Sequence, residues 1–326
     1  NAAIIILLYV GAIKVDCGLL TQGNVVALYN YMSQILVELI KLANLIITVT
    51  KSFACAGRVN EILDMTTSLS HGEQVGTVAG TPFIAFENVC VNYGNADVDA
   101  LSGISFTVEK GQTVGIIGGT GAGKTTLVNI LPHFYDVSAG KVTIGGVNVN
   151  AVGDEKLRDM CGIVPQKAVL FKGSIRDNLK WGKNDATDEE IMDSLTCAQA
   201  DDVIKSKEKG LDEQVEQGGK NFSGGQRQRL TIARALVKKP EILILDDSAS
   251  ALDYATDAKL RKSLKSLDYN PTVFIVSQRT SSIRHADKII VLDGGKMVGC
   301  GTHEQLLSSC AIYEEIHYSQ FQKEGA

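Results

Sequence analysis

The sequence predicts an α/β domain with a largely parallel central sheet, preceded by α-helices that cross a membrane. Three observations predict this fold class. Only four side chains before residue 51 are charged, and that segment is dominated by Ile, Leu, Val and Ala. From Phe83 onward, short β-branched runs alternate with helical patterns, as in sheets whose strands are joined by helices. One run leads directly into a glycine-rich turn and a helical pattern, which is typical of a phosphate-binding loop.

The composition limits the possible functions. With 326 residues, 44% of them apolar, the chain is long enough for roughly two domains with a sizeable core. Its formal net charge of −5 argues against a nucleic-acid partner, which would require clustered Lys and Arg. The seven cysteines are scattered without a C-x-x-C pair, so we expect reduced thiols in a cytosolic body.

Residues 1–65 are predicted to form the last two helices of a transmembrane domain. Residues 3–13 are almost wholly apolar but shorter than the ~20 residues of a span, so we expect a first helix truncated from a longer protein. In the second helix, polar residues recur every three or four positions, which predicts a polar face toward a pathway shared with partner helices. These residues are Asn30, Gln34, Glu38, Lys41, Asn44 and Thr48. The alternative is an amphipathic surface helix of a soluble protein.

The charge pattern also predicts the topology. Lys51 and Arg58 are the first positive charges after the apolar stretch, and such a bias marks the cytoplasmic side of a membrane. Residues 66–82 are rich in Thr, Ser and Gly and are predicted to be a linker. Residues 83–326 would then form a cytoplasmic nucleotide-binding domain attached to a multi-pass protein of the cell membrane.

A phosphate-binding motif, G-x-x-x-x-G-K-T, follows the apolar run TVGIIG. Glycines allow backbone N–H groups to surround phosphate oxygens, while Lys124 reaches the β and γ phosphates and the Thr125 hydroxyl binds Mg²⁺. The sequence therefore predicts a P-loop NTPase that binds a nucleoside triphosphate with Mg²⁺. The predicted loop residues are Gly118, Gly119, Thr120, Gly121, Ala122, Gly123, Lys124, Thr125 and Thr126.

Two adjacent carboxylates end the apolar run ILIL in the segment ILILDDSASALD. Asp246 fits the strand-end carboxylate that holds Mg²⁺ through water in such proteins. Asp247 stands where a base or a water-orienting group would lie near the γ-phosphate. The two aspartates are therefore predicted to have different roles, one at the metal and one in catalysis.

Between the loop and the aspartates, NFSGGQRQRLTIARAL resembles the signature of the ATP-binding-cassette (ABC) superfamily, with SGGQ at Ser223, Gly224, Gly225 and Gln226. The resemblance covers about residues 83–317 and implies an ABC ATPase with a helical subdomain. It also implies that Tyr93 stacks on adenine, that Gln166 contacts the γ-phosphate and Mg²⁺, and that SALD at Ser250–Asp253 crosses between paired subunits. The preceding helices look like the last two membrane helices of a half-size ABC exporter.

In this family two cassettes pair head to tail, so the signature acts on a nucleotide held by the partner. The Ser223 hydroxyl and the N–H groups of Gly224 and Gly225 would cap that γ-phosphate from a helix N-terminus. One chain then contributes halves of two ATP sites.

The chain departs from the hydrolytic members of the family at two positions. Asp247 stands where they place Glu, and Gln278, in IVSQRTSS, stands where they place His. Asp is a methylene shorter than Glu, and a displacement of about 1 Å in a catalytic group can cost on the order of 10²-fold in rate. Gln cannot carry the positive charge of a His. Together, Asp247 and Gln278 predict a site that binds ATP but hydrolyses it weakly.

These observations predict one half of a heterodimeric, multidrug-type ABC exporter whose partner carries Glu and His, with a hydrophobic or drug-like transported molecule. Two alternatives remain open at this stage. One is a homodimeric exporter that pumps slowly because both sites carry Asp247 and Gln278. The other is a non-membrane ABC protein that uses ATP to clamp nucleic acid or a ribosome. The acidic composition and the apolar N-terminal segment argue against this alternative.

Overall fold

The structure is a computed structural model of the chain, and it describes residues 2–65, 69, 72, 78, 80–94 and 98–320. The chain divides into two compact units, Asn1–Ser68 and Leu69–Ala326. Most of the predicted linker, residues 66–82, lies outside the described residues, as do residues 321–326.

The first unit consists of two helices, α1 (Ala2–Asp16) and α2 (Gln22–Leu63). The Thr21 side chain caps α2 by accepting a hydrogen bond from the Asn24 N–H at 3.3 Å. The continuous helix of 42 residues is roughly 63 Å long, about twice the ~30 Å hydrocarbon core of a bilayer. Among the described residues, α2 alone has the length and hydropathy needed to cross a membrane, judged on those two properties.

The predicted polar stripe of α2 is exposed along the isolated unit, as are its apolar residues. The Lys41 ammonium pairs with the Glu38 carboxylate at 2.8 Å, and the Thr48 hydroxyl donates to the Asn44 carbonyl at 2.8 Å. The polar side chains of Lys41, Glu38 and Thr48 therefore find their partners within the helix itself. The helix therefore buries neither its polar nor its apolar face inside this unit.

The second unit contains twelve described strands and ten described helices. The strands are β1 (Ile84–Val91), β2 (Leu101–Val108), β3 (Thr113–Gly118), β4 (Ala139–Ile144), β5 (Val147–Asn148), β6 (Cys161–Val164), β7 (Gly173–Ser174), β8 (Gln214–Val215), β9 (Ile242–Asp246), β10 (Thr272–Val276), β11 (Lys288–Asp293) and β12 (Lys296–Gly301). The helices are α3 (Lys124–Asn129), α4 (Asp154–Met160), α5 (Ile175–Lys180), α6 (Asp188–Cys197), α7 (Asp201–Lys205), α8 (Gly224–Leu236), α9 (Tyr254–Lys265), α10 (Thr280–Ile283), α11 (His303–Ser309) and α12 (Ala311–Gln320).

A six-stranded sheet in the order β12-β11-β3-β10-β9-β6 forms the centre of this unit. All neighbouring strands in it are parallel except the edge pair β11 and β12. Every residue of β9 and of β10 is buried, which explains why these strands appear in the sequence as continuous apolar runs instead of alternating patterns. Because the strands are parallel, β3, β9 and β10 all end at the same edge of the sheet.

The remaining elements complete the layers around this sheet. The antiparallel sheet β2-β1-β4-β5 shares one hydrophobic core with one face of the central sheet, a core that includes Phe86, Leu127 and Phe274. A second core, which includes Leu195, Leu230 and Leu245, joins the opposite face to α5, α6, α7 and α8. These four helices lie between β6 and β9 in the chain and correspond to the predicted helical subdomain.

Candidate functional site

The glycine-rich loop connects β3 to α3 at the carboxyl edge of the central sheet. Gly123 adopts a left-handed conformation (φ +92°) and a Cβ at this position would lie 2.7 Å from the Ala100 carbonyl oxygen, so only glycine fits here. Gly123 is also the N-cap of α3 and offers no side-chain acceptor. The first N–H groups of α3 are therefore left for an external anion, as a phosphate-binding loop requires.

The Lys124 side chain is folded over this loop and is only 9% exposed. Its ammonium donates to the Gly118 and Gly119 carbonyl oxygens at 2.9 and 2.6 Å. Burial lowers the pKa of Lys124, while the nearby Asp247 and Asp246 carboxylates act in the opposite direction. The cation is thus held over the backbone groups that would surround a phosphate.

Asp246, the last residue of β9, lies beside the start of α3. The Thr125 hydroxyl donates to both carboxylate oxygens of Asp246, at 3.2 and 3.0 Å. The Asp246 side chain is 8% exposed, and its burial raises its pKa, partly offset by the Thr125 hydrogen bond. A buried carboxylate next to a hydroxyl supplies hard oxygen ligands of the kind that Mg²⁺ prefers.

The donor set around Asp246 fits Mg²⁺ bound together with phosphate. Among the described residues, no group of three His, Cys, Asp or Glu side chains could hold a metal ion by itself. Mg²⁺ sites typically use one or two carboxylates and complete the shell with water and substrate phosphates. One carboxylate and one hydroxyl at the end of the loop match that pattern, and a closed all-protein metal site does not.

Asp247 occupies a different environment from its neighbour. Its backbone is left-handed (φ +45°), its N–H donates to the Val276 carbonyl at 2.9 Å, and its carboxylate accepts from the Gln166 side-chain amide at 3.4 Å. Burial raises the pKa of Asp247, and the positive charges of Lys124 and Arg279 oppose that rise. The structure thus brings Gln166, Asp247 and Lys124 to one place at the carboxyl edge of the sheet.

Gln278 lies in the exposed segment that follows β10. Among the described residues, its side chain makes no hydrogen bond to Asp247 or to the glycine-rich loop. Its backbone carbonyl instead accepts a hydrogen bond from the side-chain amide of Gln320 at 2.6 Å. The same Gln320 side chain accepts from the backbone N–H of the buried Thr280 at 2.9 Å. The last residue of α12 thus holds the segment that carries Gln278 and Arg279.

Arg279 and Gln320 were not predicted as site residues. Arg279 is adjacent to a predicted site residue and its charge acts on Asp247, so the sequence offered a signal for it. Gln320 is separated from Thr280 by 40 positions and no local pattern relates the two. Only the packing of α12 brings them together.

Tyr93 lies next to α3. Its hydroxyl donates to the Thr126 hydroxyl at 2.9 Å, and its ring packs edge-on against Tyr135 with the ring centroids 4.9 Å apart. The Tyr93 side chain remains 43% exposed. An exposed aromatic face beside a phosphate loop is a suitable surface for a nucleobase. Tyr135, which supports this ring, was also not predicted.

The predicted signature begins α8. Ser223 is its N-cap and forms a capping box with Gln226: the Gln226 N–H donates to the Ser223 hydroxyl at 3.2 Å, and the Ser223 N–H donates to the Gln226 side-chain oxygen at 2.9 Å. Gly224 and Gly225 are the first two residues of the helix, and Ser223 and Gly224 are exposed. Within the described part of the chain, no hydrogen bond joins these residues to the glycine-rich loop, so the two motifs do not form one site in this chain.

Comparison with known protein families agrees with this geometry. A family model described as ABC transporter matches residues 101–250, which include the glycine-rich loop, the signature and both aspartates. Residues 101–250 thus resemble the ABC transporter family. Of the predicted fold class, the ABC ATPase domain is confirmed, and such a domain binds ATP, whereas the preceding transmembrane helices stay a prediction.

Relatives of the ABC domain extend over almost the whole chain. An uncharacterized ABC transporter ATP-binding protein of Mycobacterium bovis is 38% identical over 98% of this chain and 56% of its own length. A probable multidrug resistance ABC transporter ATP-binding/permease protein of Bacillus subtilis is 38% identical over 98% of this chain and 55% of its own length. The chain therefore spans about half the length of the curated relatives that it matches.

A solved structure is also similar. The structure of a bacterial Atm1-family ABC exporter with ATP bound aligns with a TM-score of 0.78 and 32% identity, covering 93% of this chain and 53% of that one. The aligned part of this chain therefore includes residues of both compact units, because 93% exceeds the length of the second unit alone. The similarity concerns the ABC domain and the helical segment that precedes it.

Proposed function

We propose that this chain is the ATP-binding and ATP-hydrolysing part of an ABC exporter subunit, in which ATP drives the movement of a substrate across a membrane. One observation carries the proposal. The ends of β3 and β9 bring together a buried lysine, a hydroxyl and a buried carboxylate, at Lys124, Thr125 and Asp246, in the arrangement that a magnesium-bound triphosphate requires.

The chain's own residues divide the work at this site. Lys124 and the N–H groups that begin α3 would bind the phosphates, and Thr125, Asp246 and Gln166 would hold Mg²⁺, the carboxylate acting through water. When bound, Mg²⁺ neutralises phosphate charge and so favours attack by water. Asp247, hydrogen-bonded to Gln166, would orient that water, and Gln278 would offer a neutral hydrogen-bond donor to the γ-phosphate.

We also propose that the Asp247 and Gln278 pair hydrolyses ATP weakly. The Asp247 carboxylate is held back by its hydrogen bond to Gln166 and by its left-handed backbone, and a side chain one methylene shorter than Glu has little reach to spare. The Gln278 side chain makes no described contact with Asp247. Both observations support a site in which Asp247 and Gln278, the two residues proposed to act on the γ-phosphate, are poorly suited to hydrolysis.

The exposed start of α8 supports a head-to-tail pair of cassettes. Ser223, Gly224 and Gly225 lie at a helix N-terminus, where N–H groups favour an anion, yet in the described part of the chain they make no hydrogen bond to this chain's own loop. We therefore propose a second ABC subunit as the partner, with the signature of this chain completing the partner's ATP site. A heterodimer with a Glu- and His-bearing partner best suits the two departures at Asp247 and Gln278.

The membrane part of the proposal depends on α2 and on the relatives. An apolar helix of this length, exposed throughout its own unit, is suited to a bilayer. The Bacillus subtilis relative is named as an ATP-binding/permease protein for multidrug resistance. We propose a multi-pass protein of the cell membrane with a cytoplasmic ABC domain and a hydrophobic or drug-like transported molecule.

Labelling by a photoreactive ATP analogue with Mg²⁺ tests the nucleotide site in the full-length protein. Lys124→Ala removes the cation that the geometry assigns to the phosphates, so we expect labelling to fall to background. The matched control is Lys110→Ala, because Lys110 is exposed and precedes β3, at the opposite edge of the central sheet from the loop. Equal labelling of the two variants would refute the assignment of this loop.

A further inference from the structure

A second cavity lies at the opposite edge of the central sheet from the glycine-rich loop. It has a volume of about 650 Å³ and is enclosed by α9, by the residues that follow α10, and by the beginnings of β3 and β10. Thr113, at the start of β3, lines the cavity, whereas the phosphate loop follows Gly118 at the end of the same strand. Five residues of strand separate the two by roughly 16 Å. The volume is within the usual range of small-molecule sites.

The lining of this cavity combines an apolar floor with a cationic rim. Val273 and Ile275 of β10, together with Leu264 of α9, supply apolar surface. Four permanently cationic side chains line the same cavity, two of them from the last turn of α9. They are Arg261, Lys262, Lys265 and Arg284.

Most of this positive charge is not neutralised within the chain. Arg261 pairs with the Asp257 carboxylate at 3.1 Å, but its Nε is buried and has no hydrogen-bond partner. Within the part of the chain that the structure describes, Lys262, Lys265 and Arg284 take part in no ion pair. The cavity is thus a local excess of positive charge in a chain whose net charge is −5.

The carboxylates nearest to these cations are already engaged. Asp287, which lines the cavity, accepts a hydrogen bond from the Thr113 N–H at 2.7 Å. Asp257 accepts from the Ser282 hydroxyl at 3.2 Å in addition to its pairing with Arg261. Both carboxylates keep their negative charge, but the four cations that line the cavity outnumber them.

Helix-dipole stabilisation accounts for only part of the cluster. Lys262 and Lys265 lie in the last turn of α9, where cations are favourable without any ligand. Arg284 follows α10 and lines the same cavity. Its Nε donates a hydrogen bond to the His285 Nε2 at 3.1 Å. That hydrogen bond requires an unprotonated Nε2, and burial together with Arg284, Arg261 and Lys265 lowers the pKa of His285. Two elements therefore direct cations to one cavity beyond what the end of a helix needs.

We propose that this cavity binds a small organic anion, such as a phosphate ester, at a site separate from the ATP site. The anionic group would contact Lys262, Lys265 and Arg284, and the carbon skeleton would lie on the floor formed by Val273 and Ile275. The proposal does not depend on the transport function, because it concerns only cavity shape, apolar surface and unpaired charge on this chain.

Reductive labelling of the full-length protein tests the site with two matched probes, pyridoxal phosphate and pyridoxal. The probe aldehyde condenses with a lysine amine to give an imine and water, and borohydride then reduces the imine to a stable amine. Pyridoxal lacks the phosphate and part of it closes to an internal hemiacetal, so the labelling ratio of the two probes is compared between lysines and not read as an absolute value. Peptide mass spectrometry reads each lysine separately, and Lys259, on α9 but outside the cavity lining, is the internal control.

At the proposed site the phosphate should concentrate the probe next to the lysines. We expect the ratio of pyridoxal phosphate labelling to pyridoxal labelling at Lys262 and Lys265 to exceed that at Lys259 by about tenfold, since one charge-assisted contact supplies that factor. Equal ratios at all three lysines would mean that the cations are only accessible side chains, and would overturn the proposal. This comparison needs no variant and cannot be confused with misfolding.

A variant then tests whether the rim acts as one site. Arg284→Gln should lower the phosphate preference at Lys265 several-fold and leave pyridoxal labelling unchanged, which also reports that the fold is intact. Arg158→Gln, a change of the same type at an exposed residue of α4, should leave the preference as it is. A preference at Lys265 that survives Arg284→Gln would contradict a site built from both elements.

Discussion

At the scale of single residues, two adjacent carboxylates have separate roles because the backbone turns between them. Asp246 ends β9 in extended conformation and is paired with Val276 of β10, whereas Asp247 is left-handed. The turn directs one carboxylate to Thr125 and the other to Gln166. Two identical side chains therefore meet a hydroxyl and an amide, respectively, without any intervening residue.

Asp246→Asn should stabilise the nucleotide-free protein while weakening its response to Mg-ATP. Because burial raises the folded-state pKa of Asp246, the folded state binds the proton more tightly than the unfolded state. Stability therefore falls as pH rises from the unfolded-state pKa to the raised folded-state value, and it stays lower above that window. Asn removes this charge and can still accept from Thr125. We expect the free energy of unfolding to rise by about 0.5–2 kcal/mol at neutral pH. Stabilising substitutions commonly give gains of this size, and at a functional site the cost is lost function.

Urea unfolding with and without Mg-ATP, at neutral pH and again below the titration window, checks this prediction. The gain should disappear at the lower pH, where wild-type Asp246 is protonated in the folded state. Asp293→Asn is the matched control, because Asp293 is the exposed last residue of β11. Stability that drops in Asp246→Asn without nucleotide would show that the buried charge is not a cost to the folded state.

At the scale of elements, α8 combines a structural and a proposed functional role at its first turn. The capping box of Ser223 and Gln226 stabilises the helix, so a change at Ser223 affects stability whatever its function. The chain offers a matched reference in α6, in the same helical subdomain, where Thr187 and Glu190 form the same capping box. Comparing the two N-caps separates the cap from the proposed contact with the partner.

Ser223→Arg should abolish most of the ATPase activity of the assembled pair, since its bulk would occupy the proposed place of the partner's γ-phosphate. Thr187→Arg should cost a similar amount of stability, about 1 kcal/mol, and leave ATPase activity close to that of the wild type. ATP labelling of this chain's own loop should survive in both. If the two variants lose activity equally, the effect comes from the helix cap and the head-to-tail arrangement is wrong.

The C-terminal helix α12 contacts the segment after β10 through two side chains, since Gln320 bonds to the Thr280 N–H and the Gln278 carbonyl, and a His317 ring nitrogen lies 3.2 Å from the Thr280 hydroxyl. Gln320→Leu would leave the backbone N–H of the buried Thr280 without its acceptor, which costs about 1–3 kcal/mol. Ser319→Leu is the control, since the Ser319 hydroxyl bonds only within α12 and the change should cost less than about 0.5 kcal/mol. Chemical unfolding of both variants measures the difference. Indistinguishable unfolding free energies would show that Gln320 does not hold this segment.

The elements that the sequence predicted are those whose pattern is set locally. Buried parallel strands such as β9 and β10 are continuous apolar runs, and the glycine-rich loop has its own spacing. By contrast, β5, β7 and β8 are only two residues long and exist because a partner strand pairs with them. The hydrogen bond from the Thr280 N–H to the Gln320 side chain likewise depends on how α12 packs, and no local sequence pattern predicts it. The glycine-rich loop and the adjacent aspartates could therefore be located from the sequence, where their role in binding ATP stays a prediction, whereas the contacts made by Gln320 could not.

At the scale of the whole molecule, the chain in our proposal carries halves of two ATP sites, and among the described residues no hydrogen bond joins these half-sites. The glycine-rich loop with Asp246 and Asp247 lies at the carboxyl edge of the central sheet. Ser223 caps α8, and among the described residues its hydroxyl accepts a hydrogen bond only from the Gln226 N–H. In a head-to-tail pair each half-site finds its complement on the other subunit. In the proposed pair, the departures at Asp247 and Gln278 would concern one ATP site, and the signature would serve the other.

Asp247→Glu combined with Gln278→His should restore hydrolysis at the weak site of the proposed heterodimer. Glu extends the carboxylate by one methylene beyond the hydrogen bond that now holds it to Gln166, and His supplies a group that can be cationic. Since a misplacement of about 1 Å can cost on the order of 10²-fold, we expect a gain of roughly tenfold or more. The measurement is the ATPase rate of the assembled pair in which the partner's catalytic Glu is changed to Gln, so that only this site turns over. The control is Asp247→Asn in the otherwise unmodified pair. It should alter the ATPase rate by only a few-fold, because we expect the partner's site to account for most of the turnover. A large loss in that control would make this the working site, and no gain from the double change would locate the defect in the signature that faces it.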